Sequence, residues 1–92
     1  MKAYRVIGDE KHLYIKVDDR ASRKATLSGL IDLLTHKGCV IRDKMLESDY
    51  ELYTFMYENI RFAISLSQDE ETLISLCVDN GKDLTVLENL LL

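Results

Sequence analysis

Ile60, Phe62, Ile64 and Leu66 alternate with Arg61, Ala63 and Ser65. A period of two marks a β-strand with one apolar face. Residues 50–57 form a second strand, and Glu58-Asn59 between the two is short enough for a tight hairpin turn. In that hairpin Tyr57 opposes Ile60, Phe55 opposes Phe62, Tyr53 opposes Ile64 and Glu51 opposes Leu66. Directly opposed residues share a face. A third strand over 72–78, after a loop at 67–71, puts Ile74 opposite Ile64, Leu76 opposite Phe62 and Val78 opposite Ile60. One face thus stays apolar across three strands. It holds most of the aromatic side chains, and a core is the usual fate of such a face.

The pattern changes period upstream. Leu27, Leu30, Ile31 and Leu34 fall at i, i+3, i+4 and i+7, which predicts a helix over residues 20–37 with one apolar stripe. Asp19 or Ser22 can cap its start, and Gly38 is a left-handed stop. Gly29 lies mid-helix, where close approach to the sheet would explain it. Before the helix, residues 3–8 and 12–17 read as a hairpin around Gly8–Lys11. After it, residues 39–43 read as a short strand and 44–49 as a loop. Asp79-Asn80-Gly81 is a turn, and Thr85 with Glu88 has capping-box spacing for a short helix carrying Leu84, Leu87, Leu90 and Leu91. The whole predicts a single α+β domain over residues 1–92, in the order β-β-α-β-β-β-β-α. Its mainly antiparallel sheet packs the long helix on its aromatic face.

The other face of the three-strand unit carries Tyr50, Leu52, Met56, Arg61 and Leu73, among Thr54, Ala63, Ser65, Ser75 and Cys77. It is neither clearly polar nor fully apolar. Either another element covers it, or it is a protein-binding surface, because contiguous exposed apolar side chains mark interfaces.

Charge narrows the functional classes. The chain of 92 residues has a formal charge of −4. The balance is uneven: residues 1–45 hold ten Lys or Arg against six Asp or Glu, and residues 46–92 hold two against ten. An acidic surface repels phosphate, which argues against general nucleic-acid binding. Asp69, Glu70 and Glu71, beside Glu47, Asp49 and Glu51, form an acidic rim that could steer a basic protein partner, or simply keep the chain soluble. No apolar stretch approaches the length of a membrane span. Cys39 and Cys77 sit among apolar neighbours, which suggests reduced thiols and a cytoplasmic setting.

Chemistry-bearing motifs are sparse. There is no nucleophile elbow, phosphate-binding loop or dinucleotide fingerprint. His12, His36, Cys39 and Cys77 show no short paired ligand spacing, and residues 79–83 lack the alternating ligands and closing Glu of a calcium loop. A cysteine nucleophile would need a His brought to it by the fold. Arg20, Arg23 and Lys24 at the helix start could hold an anion, or pair with Asp18 and Asp19 on a solvated face. No catalytic residue, cofactor or metal is therefore expected. The expected function is a non-catalytic protein-binding module, such as a small acidic inhibitor or immunity-type protein. A homodimeric structural protein of unknown role joined through the outer sheet face, and a ligand-binding or enzyme subunit active only on assembly, are the alternatives.

Overall fold

Residues 2–92 are described by a computed structural model. The elements are β1 (His12–Lys16), α1 (Arg20–His36), β2 (Val40–Leu46), β3 (Tyr50–Tyr57), β4 (Ile60–Ser67), β5 (Leu73–Val78) and α2 (Leu84–Leu90), with a 3-10 turn at Gly81–Asp83. The five strands make one antiparallel sheet in the order β1-β5-β4-β3-β2. The α+β class and the mainly antiparallel sheet thus stand as the sequence suggests.

The central hairpin has the expected register at every pair, from Tyr57 opposite Ile60 to Glu51 opposite Leu66. Its turn places Glu58 at φ +55°, a left-handed conformation that is costly for a residue with a Cβ. Phe55 and Phe62, directly opposed, stack with ring centroids 5.2 Å apart. Both are fully buried. The β4–β5 register lies two residues from the expected one: Leu76 opposes Ile64 and Val78 opposes Phe62. A slip of two keeps every side chain on its own face, so alternation alone does not fix it.

Both helices lie on the same side of the sheet. Leu27, Leu30 and Leu34 of α1, with Leu84, Leu87 and Leu90 of α2, share one core with the apolar faces of β1, β3, β4 and β5. Asp19 caps α1, its carboxylate accepting from the Ser22 N–H at 2.8 Å. Gly38 ends the connection at φ +98°. Gly29 does not approach the sheet: a methyl group there would meet nothing within 4 Å.

Three expectations are corrected. The strand over 3–8 shrinks to a single bridge, Tyr4 to Tyr14. Beyond it Arg5 turns away and bonds Thr85 and Glu88 on α2. That interaction also replaces the capping box: α2 starts at Leu84, and Asp83 makes no side-chain cap bond. Thr85 and Glu88 thus fasten the N-terminal segment rather than their own helix. The strand over 39–43 runs instead from Val40 to Leu46, absorbing half of the expected loop. Its partner β3 is long enough to pair with it throughout, across a bulge between Ile41 and Asp43.

Candidate functional site

With both helices on one side, the opposite side of the sheet has no layer over it among the described residues. Its side chains form rows across the strands. In one row Met45, Leu52, Ser65, Ser75, Tyr14 and Tyr4 follow one another. The neighbouring row runs Asp43, Thr54, Ala63, Cys77 and His12. Val40, Met56 and Arg61 form a shorter row at one end. Tyr50 lies opposite Ser67, and Leu73 opposite Lys16, at the other. Tyr50, Leu52, Met56, Arg61 and Leu73 therefore share one surface, as their positions in the sequence imply.

None of the five is sealed off. Leu52, Met56 and Leu73 are half-buried, while Tyr50 and Arg61 are exposed. The sequence reading missed the extension of this patch onto β2. Val40 is 50% exposed and Met45 39% exposed, so apolar surface continues to the sheet edge. The Tyr50 hydroxyl lies 3.0 Å from the Met45 sulfur. Met45 was hidden because residues 44–49 read as a loop. On the opposite margin Tyr4 extends the face beyond β1, its ring centroid 5.8 Å from that of Tyr14.

The free edge is less inviting than the face. β2 carries a bulge and three consecutive charged residues, Arg42, Asp43 and Lys44. Both features discourage another strand from adding to an edge. The strands put Lys16, Arg61 and Asp43 on the face, and the Asp9 carboxylate joins them through its bonds to His12 and Tyr14, so these charges balance.

The acidic segment is the loop between β4 and β5, at the end of the face that carries Tyr50 and Leu73. Glu71 accepts from Arg20 at 2.6 Å, and Arg23 Nη1 donates to the carbonyls of Ser67 and Glu70 at 2.6 and 2.7 Å. Asp69, Glu70 and Glu71 are exposed in the loop that joins Ser67, opposite Tyr50, to Leu73, and one of the three already holds a cation. The expected pairing of Arg20 and Arg23 with Asp18 and Asp19 is not formed. Arg23 is buried, 6% exposed, and buttresses the loop.

The fold does bring His12 opposite Cys77. His12 Nδ1 lies 2.9 Å from Asp9, which also accepts from the Tyr14 hydroxyl at 2.8 Å. These bonds, that with His12 foremost, hold the Asp9 carboxyl below its usual range, and the bond to Asp9 pushes Tyr14 up to about 12. The Cys77 sulfur is directed at the Val78 carbonyl, 3.6 Å away. Burial pushes this thiol up, with Asp79 and Asp9 adding to the effect, so it stays protonated. Burial does the same to Cys39. Among the described residues no group of three or more His, Cys, Asp or Glu could hold a metal ion, and no helix is long and apolar enough to cross a membrane.

Comparison with family models, with curated proteins and with solved structures finds no match to this chain.

Proposed function

We propose that the chain is a non-catalytic protein-binding module that seats a partner protein on the bare face of its sheet. The observation that carries this reading is the one-sided placement of the helices. Tyr50, Leu52, Met56, Met45 and Val40 remain on a continuous surface with no element over it among the described residues. Five strands about 4.8 Å apart make a face roughly 20 Å across, suited to a small interface. Burying apolar side chains there stabilises a complex by about 25 cal/mol per Å². Arg61 and Lys16 favour a partner with carboxylates beside its apolar contact. In the Asp69–Glu71 loop Glu71 is already paired with Arg20, so the acidic-inhibitor reading draws less support than the face does. Two free thiols suit a reducing, cytoplasmic setting.

The test combines mass in solution with affinity capture. Wild type and a Leu52→Glu/Met56→Glu double variant are compared, each checked for folding by circular dichroism. A monomer that captures one stoichiometric protein, lost in the folded variant, supports the reading. A concentration-dependent dimer abolished by the same changes would make the partner a second copy. Capture that survives the substitutions but fails on Asp69, Glu70 and Glu71 to Ala would move the site to the acidic loop.

A further inference from the structure

A second surface lies on the helix side of the sheet, independent of the bare face. The first half of α1 does not close fully over β3 and β4, and a cleft of about 300 Å³ remains. Arg20, Arg23 and Lys24 line one wall, Glu51 and Tyr53 the other, with Leu27 and Leu66 as apolar surface between them. The polar groups divide into those already satisfied and those still open. Arg23 is 6% exposed and uses Nη1 alone for its two carbonyl acceptors. A guanidinium has five N–H donors. Nη2 and Nε therefore have no acceptor among the described residues. Among the described residues no buried side-chain polar atom lacks a partner, so these nitrogens reach solvent, and the opening that Arg23 lines is this cleft.

Lys24 is exposed and has no carboxylate within ion-pairing distance among the described residues, whereas Arg20 is held by Glu71. Opposite, the Tyr53 hydroxyl donates to Glu51 at 2.7 Å. Burial first, and then this bond, push Tyr53 up to about 12, so it remains a donor to Glu51. Glu51 keeps lone pairs free for another donor, since a carboxylate accepts about four hydrogen bonds. Setting the Arg20–Glu71 pair aside, Arg23 and Lys24 outweigh Glu51 by one positive charge. A dianion such as phosphate would meet Glu51 with repulsion and leave the leucines unused.

The geometry points to a binding site for a small organic acid. Its carboxylate would sit between Arg23 and Lys24, its short apolar body on Leu27 and Leu66, and a hydroxyl at its other end on Glu51. Carboxylates match guanidinium geometry, and the buried position of Arg23 strengthens the bond.

The test is an amide-resolved NMR titration of the full chain. The probes are a short series of ω-hydroxycarboxylates, hexanoate as the analogue without the donor, and inorganic phosphate as the bare anion. The hydroxy acids are expected to give saturable shifts at Arg23, Lys24, Leu27 and Leu66, and to bind about tenfold more tightly than hexanoate. Lys24→Ala should weaken them about tenfold, and Glu51→Ala should erase their margin over hexanoate. Both positions leave the Arg23 carbonyl bonds intact, so the variants should fold. Absence of saturable shifts, binding unchanged in folded Lys24→Ala, or phosphate binding as tightly as the hydroxy acids would each overturn the proposal. Shifts confined to the bare face would also do so, by placing the ligand on the protein-binding surface.

Discussion

The two sides of this sheet are built from the same five strands, yet they meet opposite fates. On the helix side, Phe55, Phe62, Ile64, Ile74 and Leu76 are fully buried beneath α1 and α2. On the other, their immediate neighbours Leu52, Met56, Ala63, Ser75 and Cys77 stay half-open. Away from the cleft at Glu51, the covered side is large and apolar, as close packing requires. The bare side mixes Leu and Met with Ser, Thr and Ala, a composition compatible with water and with a reversible contact. Stability and recognition are thus divided between odd and even positions of single strands, and a change of one residue along the chain moves an experiment from one to the other.

The largest effect should come from testing that division directly. Phe62→Ala removes a buried ring and its stacking partner's contact, and is expected to cost about 3–5 kcal/mol in urea unfolding. Ala63→Ser, one position along, faces the other way and should stay within about 0.5 kcal/mol of wild type. Equal losses would mean that the two sides are packed alike. A smaller change, of opposite sign, is expected at Gly29: Gly29→Ala should add up to about 1 kcal/mol, because the position is helical and open. Loss of stability there would reveal a contact made only in solution. Leu52→Glu should cost less than about 1 kcal/mol. A cost like that of Phe62→Ala would show a covering layer and end the interface reading.

Titration gives the subtlest contrast, because one tyrosine on each side is shifted for a different reason. Tyr14, on the bare side, is raised chiefly by its bond to Asp9, and Tyr53, on the covered side, chiefly by burial. A phenol raised in the folded state contributes stability that is complete below its ordinary value near 10 and is lost as pH rises towards about 12. Thermal melting points should therefore fall over that window. Asp9→Asn should return the Tyr14 phenolate absorbance transition towards its ordinary range and leave that of Tyr53 in place. Asp9 itself has the reverse sign: its lowered carboxyl contributes stability above the ordinary carboxylate range, lost as pH falls through the folded value. Identical titration of both tyrosines in the variant would contradict the assignment of causes.

Much of this was legible in the sequence, and the reasons for the exceptions are specific. Alternation in Ile60–Ser67, with a two-residue turn, sets the β3–β4 register because local geometry leaves no freedom. The β5 register slipped by two because alternation is blind to even shifts. Arg5, Thr85 and Glu88 were unreadable as a group: the capping-box spacing was real, but a guanidinium some eighty positions away holds both side chains. Arg23 looked like a solvated charge, since nothing local signals that two carbonyls of a distant loop would receive it. The bare face was visible residue by residue, but whether it would be covered depended on where the helices went.

The placement of β1 beside β5 has a kinetic consequence. β2, β3 and β4 form a meander whose strands meet their neighbours across short connections, and such contacts close with little loss of chain entropy. β1 must wait for a strand that lies beyond α1 and the entire meander, and non-local pairing of this kind slows folding. Until β5 is in place, Leu13 and Ile15 have no sheet to enter. In a refolding experiment the amides of the β3–β4 hairpin should therefore gain protection from exchange before those of His12–Lys16, making the earliest strand in the chain the last to be fixed.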